Sequence, residues 1–180
     1  IALVGVLSVC LIRYPKREKL PKPSFSLDRF ILIQALPSAL SYMLVAIPYG
    51  MIISFAVLYG KEINVSNPGY FFICMAVGVG TARLISGRLV DHGKIHTVSV
   101  CSLISLTLSF AVFALFRTES VFFISALAIG IGFGVSVPAF QCLFVNVASH
   151  SQRGTATSTY LTSFDLGMGA GMLSAGFIAS

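Results

Sequence analysis

The chain has 180 residues, of which 56% are hydrophobic and 10% charged, where a soluble domain carries charge at roughly a quarter of its positions. That balance excludes an ordinary water-soluble globule and makes the chain an integral membrane protein. Its net charge of +6, from 12 Lys and Arg against 6 Asp and Glu, is held in short segments between apolar runs. No aromatic-basic interleaving accompanies it, so membrane topology accounts for the charge and no nucleic-acid partner is expected.

The apolar runs are helix-length and lack the two-residue alternation of barrel strands. The bilayer core also offers the backbone no hydrogen-bond partner, so the fold class is all-α, a polytopic helical bundle. The chain opens without a methionine inside the apolar run Ile1 to Ile12 and closes at Ser180 inside another. It is therefore expected to be a piece of a longer polypeptide, with residues 1–12 the end of one span. That run lacks the basic leader and small-residue cleavage site of a signal peptide.

Residues 13–29 form a linker with Arg13, Lys16, Arg17, Lys19, Lys22 and Arg29 against Glu18 and Asp28. Its basic excess makes it cytoplasmic. Spans are then expected over 30–58, 70–90, 97–116, 120–147 and 154–180, near the ~20 residues a bilayer requires or longer. The intervening loops alternate in charge as this topology demands. Lys61 neighbours Glu62 and Arg117 precedes Glu119 outside, whereas Arg88, Lys94 and Arg153 add positive charge inside.

Within the first complete span, Pro37 and Pro48 each remove a backbone donor, and kinks are expected near both. Gly130, Gly132, Gly134 and Pro138 are expected to weaken the run 120–147 in its middle. The four cysteines, Cys10, Cys74, Cys101 and Cys142, are spread one to an apolar segment and are read as packing residues. His92 and His96 are four apart but without acidic or cysteine neighbours, so no metal and no cofactor is expected.

Two motifs carry chemistry. The first is Gly87-Arg88-Leu89-Val90-Asp91-His92-Gly93-Lys94, a charged turn at the inner surface. Gly80, Arg83, Gly87 and Asp91 lie three or four apart, along one helical stripe. The second runs from Arg153-Gly154 through Thr155, Thr157, Ser158, Thr159 and Tyr160 to Phe164-Asp165-Leu166-Gly167-Met168-Gly169-Ala170-Gly171. Gly167 and Gly171 there make a small-xxx-small face suited to close helix packing.

The first motif resembles the loop signature of the major facilitator superfamily of transporters, in its second, weaker occurrence. It differs in carrying His92 after the aspartate and one residue fewer before Gly93. The second motif looks like the start of helix 11 in drug-efflux members. The resemblance covers nearly all of the chain and implies the second half of such a transporter, from the end of helix 6 to most of helix 11. It also implies an inner-gate role for Arg83, Gly87, Arg88, Asp91, Gly93 and Lys94. The aspartate would meet a positive helix end in the missing N-terminal half of the same polypeptide.

Asp165 lies near the middle of its span, where a carboxylate is costly unless protonated, paired or wetted. It is the candidate proton or ion-pair site, with a structural bridging role as the competing reading. Gln34, Ser38 and Ser41 recur at helical spacing beside Tyr42 and Tyr49, and Ser136, Gln141 and Asn146 are the polar residues of the run 120–147. By the resemblance, Gln34, Ser38, Ser41, Tyr42, Ser136 and Gln141 are the candidate substrate cavity. Interhelical hydrogen bonding is the alternative for each.

These readings converge on secondary active transport of a small solute by alternating access at the cell membrane, coupled to protons and directed to efflux. Partners are the solute, protons, membrane lipid and the missing half. Metabolite or sugar uptake by the same fold, and a non-transporting receptor or scaffold, are the alternatives. An enzyme is not expected, because no nucleophile, base or metal constellation falls at membrane depth.

Overall fold

The computed structural model describes residues 31–91 and 95–179, with the backbone alone at 85, 87–91, 178 and 179. The expected span end at 1–12, the linker 13–29, and His92, Gly93 and Lys94 lie outside the described residues. Five α-helices follow in chain order: α1 (Leu36–Glu62), α2 (Tyr70–Asp91), α3 (Ile95–Leu115), α4 (Glu119–Val147) and α5 (Arg153–Ala179). Short 3-10 turns at Ile33–Ala35 and His150–Gln152 precede α1 and α5.

Pro37 decides where α1 begins. It occupies the first turn of the helix, where the missing N–H would have had no partner anyway and the fixed φ favours the start. The kink expected there is therefore a helix start, at Leu36 rather than Phe30. Pro48 alone lies inside α1. The helix then runs on past the apolar residues to Glu62, and the chain turns through Asn64, whose φ is 58°.

The glycines of α4 do not interrupt it. The helix is continuous from Glu119 to Val147, with Pro138 inside, because those glycines are places where other helices approach. A Cβ on Gly130 would run into the carbonyl of Met75, and one on Gly134 would lie 2.6 Å from Cβ of Ala82, both on α2. On another face, a Cβ at Gly132 would lie 2.6 Å from Leu106 of α3. So α4 is flanked by α2 and α3.

The second close pair is α1 with α5. A Cβ on Gly171 would meet the carbonyl of Ile47, and one on Gly50 the carbonyl of Met168. Between the two groups contacts are fewer and largely aromatic. Two buried clusters result, one around Phe71, Phe122 and Phe133 and one around Tyr42, Phe140 and Phe144, with Phe164 packed against both.

The outward faces are apolar. Leu84, Leu173 and Phe177 are 82%, 69% and 83% exposed, which in water would be a liability and in lipid is the ordinary arrangement. Ile33–Glu62, Ile95–Leu115 and Glu119–Val147 are long and apolar enough to cross a membrane. The apolar part of α2 is shorter, Tyr70–Leu84. Of the described cysteines, Cys74 and Cys142 are half-buried, whereas Cys101 is exposed on α3 rather than packed in the core.

Candidate functional site

Tyr42 stands at the centre of an aromatic stack, with ring centroids 4.6 Å from Phe140, 5.1 Å from Tyr160 and 5.5 Å from Phe164. Its hydroxyl lies 3.2 Å from that of Tyr160, which in turn donates to the Val137 carbonyl at 3.3 Å. Because Tyr160 has one proton and gives it to Val137, Tyr42 is the donor between the two hydroxyls. Tyr49 continues the stack, 4.1 Å from Phe133. With Tyr42 only 1% exposed, this is a packed seam joining α1, α4 and α5.

The polar residues expected to line one cavity are thereby dispersed. Tyr42 and Ser136 lie in the core, and Ser136 donates to the Phe133 carbonyl. Ser38 is half-buried; Gln34, Ser41 and Gln141 are exposed, and Ser41 donates back to the Pro37 carbonyl at 3.0 Å. Asn146 is exposed near the end of α4, its amide 3.8 Å from the Cys142 sulfur.

Among the described residues a groove of about 670 Å³ lies between α1 and α5. Leu36, Pro37, Leu40 and Met43 make one wall, and Thr159, Thr162, Ser163 and Leu166 the other. Its size falls within the ~300–1,000 Å³ of small-molecule sites. The Thr159 hydroxyl accepts from the buried backbone N–H of Leu32 at 3.0 Å and donates to the Thr155 carbonyl at 2.8 Å. Ser163 donates to the Tyr160 carbonyl at 2.7 Å. These two hydroxyls are engaged, whereas Thr162 is exposed.

Sequence reasoning passed over this groove because it sought polar side chains on α1, whose groove face is apolar. The available signal was the hydroxyl series Thr159, Thr162 and Ser163, three residues before and around the turn that leads to Asp165.

Asp165 is exposed on α5, about 18 Å along the helix from Arg153 at ~1.5 Å per residue. Gly167 and Gly171, by contrast, face α1; a Cβ on Gly167 would lie 2.8 Å from that of Ala46. Of the inner-gate motif, the backbone of Gly87, Arg88 and Asp91 continues α2 as helix, and Arg83 is exposed. Among the described residues no group of three His, Cys, Asp or Glu comes together. The ion pair present, Arg117 with Glu62 at 3.8 Å, ties the end of α1 to the α3–α4 loop.

Long apolar helices, lipid-type outer faces and glycine-mediated pairing define a multi-pass α-helical membrane protein. The chain belongs to the Major Facilitator Superfamily, whose profile it matches over residues 2–180. It is 30% identical over 192 aligned positions to the uncharacterized MFS-type transporter YfiU of Bacillus subtilis (strain 168). That alignment takes in 99% of this chain and 36% of the relative, so the chain spans about a third of that protein's length. No solved structure matches significantly.

Proposed function

We propose that the full-length protein is a secondary active transporter, not an enzyme, that moves a small solute across the cell membrane by alternating access. The observation that carries this reading is the 670 Å³ groove between α1 and α5, with Asp165 exposed on α5 three residues after Thr162 of its wall. Proton coupling through Asp165 and export as the direction are part of the reading, since a membrane carboxylate that is alternately protonated and charged links solute movement to a proton gradient. Arg83, Gly87, Arg88, Asp91, Gly93 and Lys94 serve the inner gate, and the remainder of the polypeptide supplies the facing half of the pathway.

The test is flux in liposomes. Full-length protein is reconstituted and exposed to a panel of radiolabelled amphipathic compounds and hexoses, with and without a pH gradient. Gradient-driven movement of at least one solute is expected, and absence of flux for all of them under both conditions sinks the reading. Asp165→Asn is expected to uncouple flux from the gradient; unchanged coupling removes Asp165 from the proton path.

A further inference from the structure

Two buried side-chain oxygens have no hydrogen-bond partner among the described residues, Oη of Tyr59 and Oγ of Ser125. Ser125 is 2% exposed, and a hydroxyl so placed has given up solvent without a replacement. The other buried serines avoid this. Ser86, Ser99, Ser102, Ser109, Ser136 and Ser163 each donate to a carbonyl three or four residues back in their own helix. Ser125 does not, although α4 runs unbroken around it and offers the same kind of acceptor.

The two hydroxyls belong to different helices but border the same rings. Tyr59, in the last turn of α1, packs on Phe113 of α3 and Phe122 of α4 with ring centroids 5.1 and 6.3 Å away. Ser125 is one turn along α4 from Phe122, where side chains are neighbours. It also shares a face with Gly132, seven residues on, and a Cβ on Gly132 would lie 3.7 Å from Cα of Leu106. Phe113 meets Phe122, so α3 and α4 run antiparallel, and the same seven-residue step from Leu106 reaches Phe113. Ser125 therefore faces α3 at the level of Phe113. Long helical side chains lean toward the N-terminus of their helix, and Tyr42 of α1 meets Phe140 further along α4. The Tyr59 hydroxyl is thus carried from Phe122 toward Ser125.

That arrangement selects the occupant. Each hydroxyl has a proton to donate and lone pairs to accept with, so a partner for both needs both functions. An ion would find no opposite charge among Phe71, Phe113 and Phe122, and an apolar group would leave the hydroxyls as they are. Water supplies two protons and two lone pairs in the smallest volume, and buried waters characteristically serve polar groups left without protein partners.

We propose that Tyr59 and Ser125 hold a buried water between α1 and α4, toward the end of the bundle that carries the α1–α2 and α3–α4 loops. The inference does not depend on the transport reading. It makes the seam between the two helix groups polar at two depths. At one, Tyr160 donates directly to the Val137 carbonyl of α4; at the other, the tie from α1 to α4 runs through a water.

The experiment exposes full-length protein in detergent, in isotope-labelled water, to brief X-ray pulses and locates oxidised side chains by mass spectrometry. Radicals formed from a held water oxidise the rings beside it, which separates wet buried rings from dry ones. Phe122 and Phe140 are a matched pair, 1% and 2% exposed, and Phe140 stacks on Tyr42, whose hydroxyl is paired with that of Tyr160. Phe122 is expected to be oxidised several-fold faster than Phe140, and Tyr59→Phe combined with Ser125→Ala to bring it down to the Phe140 rate. Each single substitution is expected to lower the melting temperature by about 2 °C or more. The double substitution should lower it by less than the sum, because one bridge is lost only once.

Equal oxidation of Phe122 and Phe140 in the parent overturns the proposal, as does fast oxidation of Phe122 that survives the double substitution. An unchanged or raised melting temperature in either single variant also overturns it, since removing a hydroxyl that has no partner costs the fold nothing. Additive losses assign the two hydroxyls to separate partners and overturn the shared water.

Discussion

Tyr160 holds two partners with one proton, and the two hydroxyls of the aromatic seam are therefore unequal. Tyr42→Phe leaves Tyr160 still donating to Val137 and should cost about 0.5–1 kcal/mol. Tyr160→Phe strands the Tyr42 O–H in a site 1% exposed and should cost about 1–3 kcal/mol. Thermal unfolding of the two variants in detergent checks the order, and equal losses would contradict the donor assignment. A similar contrast separates two glycines of α2. A Cβ on Gly78 would collide with the Leu127 carbonyl, whereas one on Gly80 meets nothing within 4 Å. Gly78→Ala should destabilise by about 1–3 kcal/mol through overpacking, and Gly80→Ala should be neutral or stabilise by up to ~1 kcal/mol from helix propensity. In sequence both are small residues in one apolar run. The difference between them belongs to α4, fifty residues away, and no local pattern contains it.

At the scale of elements, helices were legible because hydrocarbon leaves the backbone no alternative and the apolar runs have the right length. Their ends were less so. Pro37 reads as a kink when the apolar run is taken to begin at Phe30, yet it occupies the first turn of α1, and the lead-in before it is fastened by the Leu32 N–H to the Thr159 hydroxyl of α5. Thr159→Val keeps the shape of the side chain but removes the acceptor for that buried N–H. It should lower stability by about 1–3 kcal/mol, and amide exchange at Leu32 should quicken; an unchanged rate would show that the contact does not hold the lead-in to α1. The glycines of α4 are a second such case. Intrinsic propensity marks them as weak points at ~1 kcal/mol each, but close contact with α2 and α3 through these same positions outweighs it and the helix continues.

For the whole molecule, the division into α1–α5 and α2–α3–α4 sets where the groove opens. Glycine-lined contacts close each group tightly, and the recess opens on the face of α1 and α5 that these contacts leave uncovered. A cysteine at Thr162, in an otherwise cysteine-free full-length protein, should react with a membrane-permeant thiol reagent several-fold more slowly when a solute that the reconstituted protein transports is present at saturation. Leu108→Cys, on the exposed face of α3, should react at the same rate with and without it. Equal behaviour of the two positions would place the solute elsewhere.

The sequence alone determined the membrane class, the all-α fold, the superfamily resemblance and the singular position of Asp165. Each follows from composition, run length or a local motif, and each is a property of residues near one another in the chain. Tertiary structure decided which polar residues share a space. Gln34, Ser38 and Ser41 recur at helical spacing, and the resemblance set them with Tyr42, Ser136 and Gln141, but spacing specifies a face and not what that face meets. Packing of Tyr42 among Phe140, Tyr160 and Phe164 buried part of that set, and the close approach of α1 to α5 left the groove beside Thr162.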